Sequence, residues 1–494
     1  MTARMEQGKG FIFALGALLV LAVFLYTASH VSLLLREPDL WWHIKTGQWI
    51  IAQGAVPRTD VFSYTADGQG WIAKEWLSQV IFALVYGAME WAGPLLAAAA
   101  AVALTAALIY AAATRHLQPV FSAALVIAAI FVTQGVTVAR PHVFTFPLVV
   151  ALAIVAFDAA RDRRAPPWWS LLLIVLWTNL HGSFAIAFVI GGCAFLDYLE
   201  RARFSDVPAL IKWVVWLALS VLVTLLNPYF VTPYVVALTL AGGLEVMNRI
   251  SEWAPFTAPG NSVIEGGFML VFFALLKVRA KFSFGQIIFT LIAFHLMLTH
   301  LRFIYVFFFA VPVVLLPEIA EAVPSISRAV WLARPRDGLE RVLGIWSKVV
   351  AGLATLIFIA ASAYALTGHR VVPPETTSIS KALTWIAQNR ASKPSLQTHV
   401  FNDLNFGGPL ILAGIPTYID NRTEQLYGGP VLEDYLKALD TAGRETLAKI
   451  LARPDIGWAI IPLKDPRQQN MQTMPGWRQI YADDVAAIWE KAGP

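Results

Sequence analysis

Residues 11–35 read FIFALGALLVLAVFLYTASHVSLLL, and this stretch decides the class of fold. It contains no Asp, Glu, Lys or Arg, and no small-residue cleavage motif follows it. A membrane-spanning helix needs about 20 predominantly apolar residues, whereas the apolar core of a signal peptide is shorter. The stretch therefore predicts a helix that stays in the membrane as an anchor.

The composition of the whole chain agrees with a membrane protein. Of its 494 residues, 57% are hydrophobic and 14% are charged, and the mean hydropathy is +0.62. A soluble domain carries about 25% charged residues. The 18 Trp residues fit a chain with membrane interfaces, where this side chain is enriched. These values exclude a soluble enzyme, a disordered protein and a fibrous repeat, and the single cysteine, Cys193, excludes an intrachain disulfide.

Ten further apolar runs predict membrane-spanning helices, so that with the first there are about eleven. The runs lie near residues 76–92, 95–113, 142–160, 167–181, 183–199, 209–227, 263–277, 283–300, 302–317 and 343–366. One more apolar stretch, 118–138, is interpreted as a re-entrant pair or a half-helix, which is tolerated only when it is packed inside protein. A full crossing there would break the agreement between the spans and the basic segments.

The basic residues predict the orientation of the spans. They gather in short segments at residues 4–9, 161–164, 201–212, 277–281 and 328–348. Basic segments of this kind favour the cytoplasmic side of the membrane. We therefore expect a multi-pass protein of the plasma (inner) membrane, with a cytoplasmic N-terminus and an extracytoplasmic C-terminus. The net charge of +5 then reports orientation, and no nucleic-acid partner is expected.

With this orientation, polar motifs from six separate segments fall on the outer face of the membrane. They are the loop 36–75, Arg140-Pro141-His142, Asn179-Leu180-His181-Gly182, Asn227-Pro228-Tyr229, Glu252-Trp253 and His300-Leu301-Arg302. A random distribution would scatter such groups over both faces. The pattern predicts one functional site at the outer face.

Two parts of the chain are predicted to lie outside the membrane. Within the outer loop 36–75, residues 44–53 are amphipathic and predict a helix at the membrane interface. Residues 367–494 mix helical and strand-like patterns and predict a small extracytoplasmic α/β domain, after an all-α transmembrane domain over residues 1–366. The predicted helices of this domain are 379–390 and 431–452, and the predicted strands are 399–401, 409–412, 417–419 and 458–462.

Asp39, just outside the first span, is the first candidate for chemistry. A carboxylate partly enclosed by the adjacent tryptophans can act as a general base. His43 and Glu75 are candidates for the same catalytic site. Asp39 could equally bind a divalent cation such as Mg or Mn together with either of them. As a structural alternative, Asp39 could cap an interfacial helix that the tryptophans anchor. The sequence leaves these possibilities open.

Arg140 and Arg302 are candidates for binding a phosphate group, because the guanidinium fork pairs with two oxygens at once. His142, beside Arg140, joins them. For each residue alone, the alternative is an arginine that extends to the interface or a histidine bonded to a carbonyl.

The remaining polar residues of the outer face are candidates for binding substrate. They are Arg58, Asp60, Asn179, His181, Glu252, Asp420, Arg422 and Glu424. The last three follow a predicted strand, and strand ends in open α/β sheets are common ligand sites. The alternative for these three is a capped strand with a surface salt bridge.

Several motifs together resemble the membrane-integral GT-C glycosyltransferases, and more narrowly a bacterial GT-C-like group with a C-terminal outer domain. The motifs are Asp39-Leu40-Trp41-Trp42-His43 with Gly47, Pro57-Arg58-Thr59-Asp60, Phe62-Ser63-Tyr64-Thr65, Arg140-Pro141-His142, Asn179-Leu180-His181-Gly182, Asn227-Pro228, Glu252-Trp253 and Asp420-Asn421-Arg422.

The resemblance implies a GT-C-like fold and places Asp39 where the family has its catalytic base or metal-site carboxylate. It implies a polyprenyl-(di)phosphate-linked sugar donor and a glycan, lipid or protein acceptor. Arg140 and Arg302 are assigned to the donor phosphate by charge and side only. The chain lacks an Asp-Asp or Asp-Glu pair, since Glu37 and Asp39 flank a proline. That departure leaves metal dependence open.

Two other function classes are compatible with the same features. A non-catalytic scaffold or assembly subunit with this fold would bind a protein partner, because fold alone does not assign activity. A lipid or polysaccharide transporter would need polar groups through the bilayer. The scarcity of charged residues in the middle of most spans disfavours a transporter.

Overall fold

The computed structural model describes residues 2–203, 206–241, 277–334, 337–367 and 371–492. Within them, seven helices are long and apolar enough to cross a membrane: Glu6–Ser29, Ala92–Ala113, Pro119–Val136, Pro141–Arg161, Gly182–Ala202, Leu301–Ala322 and Ser347–Tyr364. Four shorter apolar helices are Trp76–Met89, Trp168–Leu180, Val207–Val223 and Phe284–Thr299. The chain is a mostly helical, multi-span membrane protein, and nearly all of the predicted span 263–277 lies outside the described residues.

The remaining described α-helices are mostly short. They are Val31–Leu34, Asp39–Gln53, Thr232–Ala241, Arg328–Ala333, Gly338–Ile345, Glu375–Ser378, Ser380–Asn389, Gly407–Leu412, Pro430–Lys437, Arg444–Leu451 and Arg467–Gln472. Turns of 3-10 helix lead into several spans, as at Pro141–Phe144, Gly182–Phe184 and Leu301–Phe303.

The apolar stretch 118–138 forms one continuous helix, Pro119–Thr133, extended by a turn of 3-10 helix as far as Val136. Pro119 occupies the start of the helix, where its missing N–H costs nothing. The residues that follow within the helix include no Gly or Pro that would break it. Of the two expectations, a re-entrant pair or a half-helix, the structure excludes the pair and shows a single helix of 18 residues, which by length and composition is long enough to cross a membrane.

The chain divides into two compact units. The first comprises Met1–His30, Leu95–Pro233 and Met247–Arg370, and the second comprises Val31–Pro94, Tyr234–Val246 and Val371–Pro494. The outer loop 36–75, which the sequence grouped with the spans, thus lies in the same compact unit as the C-terminal segment.

In the first unit, three spans begin at the same end and finish together at the other end. They are Pro141–Arg161, Gly182–Ala202 and Leu301–Ala322. At the beginning, the rings of His142 and His181 lie 6.3 Å apart, and the hydroxyl oxygens of Tyr305 and Ser183 lie 3.5 Å apart. At the other end, Glu318 accepts hydrogen bonds from Arg161 at 3.2 Å and from Arg201 at 2.9 Å.

The same end contains Asp197, next to a run of arginines in the sequence. Its side chain is fully buried and pairs with Arg201 at 2.5 Å. Gly285 packs against this helix so closely that a Cβ there would lie 2.2 Å from the carbonyl oxygen of Cys193. The close helix contact therefore encloses the carboxylate.

In the second unit, four strands form a small mixed sheet. The strands are β1 (His399–Asn402), β2 (Ile456–Pro462), β3 (Trp477–Ala482) and β4 (Ala486–Lys491), in the order β1-β2-β4-β3. β1 and β2 are parallel, and the other neighbours are antiparallel. The core between the sheet and helix Ser380–Asn389 is built from Ile386, Val400, Trp458, Ile460 and Ile488, among others.

Part of the predicted secondary structure of this segment is corrected. Residues 409–412 belong to helix Gly407–Leu412, and residues 417–419 make only an isolated bridge between Thr417 and Ser63. The predicted helix 431–452 is broken into two, and β3 and β4 were not predicted. Short apolar runs fit a helix or a strand equally well, so tertiary contacts decide between them.

Helix Asp39–Gln53 is the predicted amphipathic helix of the outer loop, and it packs against helix Trp76–Met89. Gly47 allows this contact, because a Cβ there would lie 2.0 Å from the carbonyl oxygen of Gln79. The helix ends at Gly54 in the left-handed conformation, with φ of 63°. Most side chains of its first three turns are buried, so the helix is a core element of the second unit.

Candidate functional site

The residues predicted as the site fall in both compact units. In the second unit, Asp39 is the first residue of its helix, and Pro38 occupies the N-cap position with no side-chain hydrogen bond. The alternative in which Asp39 serves as the cap is therefore wrong. Asp39 is buried, and its Oδ1 accepts a hydrogen bond from the indole N–H of Trp42 at 3.2 Å.

One helical turn further on, His43 meets the start of helix Trp76–Met89. Its Nε2 lies 3.7 Å from Oε2 of Glu75, and its Nδ1 lies 3.2 Å from the amide nitrogen of Gln79. If that amide donates, Nδ1 accepts and the ring carries its proton on Nε2, facing Glu75. The structure thus brings His43 and Glu75 together.

Gln79 is a residue of this cluster that the sequence did not reveal. It is 1% exposed, and its amide oxygen makes no hydrogen bond to any described residue. The available signal was its spacing, because a residue four positions after Glu75 lies on the same face of a helix.

Metal ions in proteins are held by characteristic donor sets, with which the described residues can be compared. Among them, no group of three or more His, Cys, Asp or Glu side chains could hold a metal ion. Mg²⁺ requires six ligands in near-octahedral geometry, mostly oxygens. Because Mg²⁺ also binds through one or two carboxylates completed by water and substrate oxygens, the expectation that Asp39 binds Mg or Mn with His43 or Glu75 stays a prediction.

In the first unit, the predicted phosphate-binding residues lie at the beginnings of spans. Arg140 is the residue before the turn Pro141–Phe144, and Arg302 lies in the turn Leu301–Phe303. Both side chains are partly exposed. His142 hydrogen-bonds through Nε2 to the carbonyl oxygen of Val136 at 2.8 Å, as the structural alternative expected.

His181 and Asn179 are engaged in packing between helices. The Nδ1 of His181 lies 2.8 Å from Oγ of Ser183, and this hydroxyl also accepts from the indole of Trp177 at 3.1 Å. Asn179 donates to the carbonyl oxygens of Val175 at 2.8 Å and Leu226 at 2.9 Å. These contacts fix the helix ends at which the two residues lie. Glu252 lies outside the described residues.

Arg422 forms a closed ionic network in the second unit. It is 2% exposed, and its guanidinium donates to Oδ1 of Asp60 at 2.5 Å and to both carboxylate oxygens of Asp420 at 2.7 and 2.8 Å. The guanidinium carbon also lies 4.7 Å from the ring centre of Trp71. Two carboxylates and an aromatic ring therefore enclose the cation.

The ionisation of Asp420 follows from its pairing with Arg422. Burial opposes the charge on Asp420, but the Arg422 guanidinium outweighs it, so the pKa of Asp420 lies below its ordinary value. Burial, and then Asp420, raise the pKa of Tyr427, whose hydroxyl donates to the Asp420 carboxylate. Ser63 likewise donates to Asp60. The network is thus ionised and internally satisfied.

These contacts give Asp60, Asp420 and Arg422 a structural role, and substrate binding by these three residues stays a prediction. Asp60 and Asp420 are at most 1% exposed, and Arg422 is 2% exposed. Glu424 pairs with Lys74 of the outer loop, so it also serves this contact. Arg58, another predicted substrate-binding residue of the second unit, is exposed.

The outer loop and the C-terminal segment are joined at further points. The hydroxyl of Tyr64 donates to the carbonyl oxygen of Val400 at 2.9 Å, and its ring stacks on His399 at 4.0 Å. The hydroxyl of Thr65 donates to the carbonyl oxygen of Tyr418. Gly408 approaches the loop so closely that a Cβ there would lie 2.3 Å from the carbonyl oxygen of Pro38. Strand β1 and the segment that follows it, as far as Tyr418, therefore form the surface against which the outer loop packs.

Comparisons with known proteins identify the fold. No family model and no curated protein matches the chain. One similar structure is an oligosaccharyltransferase from Archaeoglobus fulgidus, tethered with an acceptor peptide. The match covers 98% of this chain and 74% of the oligosaccharyltransferase chain, with 14% identity and a TM-score of 0.52. ArnT from Cupriavidus metallidurans, bound to undecaprenyl phosphate, covers 97% and 99%, with 15% identity and a TM-score of 0.49. In its fold, this chain is similar across nearly its whole length to the GT-C glycosyltransferases.

Proposed function

We propose that the protein is a membrane glycosyltransferase. It moves a sugar from a polyprenyl-phosphate- or polyprenyl-diphosphate-linked donor to a glycan, lipid or protein acceptor at the outer face of the membrane. The observation that carries this proposal is the fold shared with an oligosaccharyltransferase over 98% of the chain. The motifs of the first outer loop, which resemble the GT-C enzymes, support it independently.

In the proposed reaction, Asp39 takes the proton of an acceptor hydroxyl. The acceptor oxygen attacks the anomeric carbon, the bond from that carbon to the phosphate oxygen breaks, and the phosphate leaves with the electron pair. The sugar configuration is inverted. The burial of Asp39 and its hydrogen bond from Trp42 support this role, because they fix the direction in which the carboxylate points.

Other residues position the reacting groups in this proposal. His43 and Glu75, paired at 3.7 Å, hold the start of helix Trp76–Met89 against the helix of Asp39. Arg140 and Arg302, with His142, are proposed to stabilise the charge that develops on the leaving phosphate. No step is routed through a metal ion.

The proposal includes the topology. In it, helix Pro119–Val136 does not cross the membrane fully, and the protein lies in the plasma (inner) membrane with about eleven spans, a cytoplasmic N-terminus and an extracytoplasmic C-terminal segment. Within the first unit, His142 and His181 share one end of the spans while Arg161 and Arg201 share the other, as this orientation requires. Cysteines introduced at positions 142 and 163 should react with an impermeant maleimide from opposite sides. Labelling of both from one side would contradict the topology.

The catalytic proposal is tested with Asp39→Asn. Membranes that contain the variant are supplied with radiolabelled polyprenyl-phosphate and polyprenyl-diphosphate sugars, and transfer to endogenous acceptors is measured. Since general-base catalysis contributes about 10²–10⁴-fold, we expect activity to fall by that factor at unchanged expression. Asp67→Asn, at an exposed position of the same loop, is the matched control. Full activity of Asp39→Asn would contradict the mechanism and would favour the scaffold alternative.

A further inference from the structure

Two spans of the first unit end in arginines with an unusual backbone. Arg163 has φ of 56°, and Arg203 has φ of 48°. Residues with a Cβ occupy this left-handed region at a cost in free energy, and glycine is the usual residue at such helix ends. The N–H of Arg203 bonds to the carbonyl oxygen of Leu199 at 2.9 Å, and that of Arg163 bonds to Ala160 at 3.0 Å. Glycine would make both turns with less strain, so the arginine side chains need another explanation.

Both side chains line the same cavity, which has a volume of about 510 Å³. Four of its lining residues are arginines, namely Arg161, Arg163, Arg201 and Arg203. The other two are Glu200 and Ala202. It lies at the end of the spans opposite to His142 and His181, because it is formed where the helices finish. The cavity is therefore separate from the residues to which glycosyl transfer is assigned in this unit.

The positive charge of the cavity is only partly neutralised. Arg161 pairs with Asp158 and Glu318, and Arg201 pairs with Asp197 and Glu318. Arg163 and Arg203 make no ion pair with any described residue, and both are exposed.

The acidic residue of the lining is already engaged. The carboxylate of Glu200 accepts a hydrogen bond from the backbone N–H of Phe284 at 2.5 Å. A helix C-terminus attracts a basic side chain through its dipole. That effect does not explain why two such ends converge on one cavity with uncompensated charge.

We propose that this cavity binds a phosphate group through Arg163 and Arg203. The planar guanidinium forks match the oxygens of a phosphate in pairs. Basic pockets between membrane helices are known sites for acidic lipid head groups, and the cavity opens where spans reach the membrane surface. A phosphate-bearing solute offers the same chemistry, so the experiment separates the two sources.

The test uses the full-length protein, with Arg163 and Arg203 either intact or both substituted. Phosphatidylglycerol, in nanodiscs otherwise made of phosphatidylcholine, is one probe, and inorganic phosphate or pyrophosphate in phosphatidylcholine nanodiscs is the other. Probe binding is measured as a rise in melting temperature. A rise with phosphatidylglycerol alone identifies a lipid head group, and a rise with the free anions identifies a solute.

The informative variant is Arg163→Gly/Arg203→Gly. It removes both guanidinium groups and relieves the backbone strain, so its melting temperature without probe should equal or exceed that of the wild type. Its affinity for the probe should fall at least about tenfold. Arg164→Gln/Arg341→Gln, which removes the same charge outside the cavity lining, should keep the response.

Three results would overturn the proposal. One is a wild type whose melting temperature rises with none of the probes. Another is a glycine variant that responds like the control variant. The third is a glycine variant that is less stable than the wild type, which would assign these arginines a structural role instead. Because the cavity lies at the end of the spans opposite to His142 and His181, transfer activity is a distinct readout.

Discussion

At the scale of single residues, Arg422 shows how the surroundings of a polar motif decide its role. In the sequence, Asp420, Arg422 and Glu424 form a dense polar group after a strand, which is the pattern of a ligand site. In the structure, the loop residue Asp60 completes a buried ion pair with Arg422, and Lys74 pairs with Glu424. The group holds two distant segments together.

Arg422→Met should strongly destabilise the protein. The substitution leaves two carboxylates buried without their cation, and breaking a buried pair in this way costs about 3–5 kcal/mol. The melting temperature of the detergent-purified protein is the measurement. Arg478→Met is the control, since the Arg478 side chain is 70% exposed and its pair with Glu490 is expected to contribute at most about 1 kcal/mol. Equal effects of the two variants would show that the Arg422 network contributes no special stability.

The same network predicts a dependence of stability on pH. The pKa of Asp420 is lower in the folded protein than its ordinary value, so the unfolded chain takes up the proton first. Its contribution is complete above the ordinary aspartate value of about 4 and is lost as the pH falls towards the folded value. Melting temperatures measured between about pH 3 and about pH 6 should fall more steeply for the wild type than for Asp420→Asn. Parallel curves would contradict this.

At the scale of secondary-structure elements, two close backbone contacts position the candidate base. Gly47 lets helix Asp39–Gln53 cross helix Trp76–Met89, and Gly408 lets helix Gly407–Leu412 approach Pro38. The first contact also brings Gln79 to His43. The position of Asp39 therefore depends on residues that carry no functional group.

Gly47→Ala should destabilise the protein and weaken glycosyl transfer together. Its new Cβ would lie 2.0 Å from the carbonyl oxygen of Gln79, and overpacking of this kind costs about 1–3 kcal/mol. Gly87→Ala is the matched control in helix Trp76–Met89, because nothing lies within 4 Å of its Cβ. It should be neutral or stabilising by up to about 1 kcal/mol. Melting temperature and transfer activity are both measured, and a harmless Gly47→Ala would refute the close crossing.

At the scale of the whole molecule, the division into units differs from the order of the chain. Residues 31–94 interrupt the sequence of spans, yet they form a compact unit with the C-terminal segment. The backbone N–H of Tyr64 bonds to the carbonyl oxygen of Thr417 at 3.1 Å, and the N–H of Thr417 bonds to Phe62 at 3.2 Å. The loop thus adds a short bridge to this unit.

Paired cysteines should capture this association. Bridge partners such as Ser63 and Thr417 have Cα atoms about 5 Å apart, within the range for a disulfide. After mild oxidation and denaturation, Ser63→Cys/Thr417→Cys should present only the native Cys193 to a thiol label, whereas each single variant should present one thiol more. Full labelling of the double variant would contradict the packing of the loop on the C-terminal segment.

The sequence by itself determined that the protein spans the membrane many times, where most spans lie and which polar motifs stand at their ends. Hydropathy is a local property that a short window of residues contains in full. The sequence also predicted strands β1 and β2. Its motifs resembled those of proteins with the fold that the comparison with the oligosaccharyltransferase supports.

Only the tertiary structure decided what the polar motifs do. Arg422 and Asp60 are 362 positions apart, and no pattern in the chain shows that they pair. The contact of Gln79 with His43 depends on a helix crossing, and so does the burial of Asp197. Whether a charged side chain serves a ligand or a fold depends on its neighbours in space, because burial and pairing set the free energy of the charge.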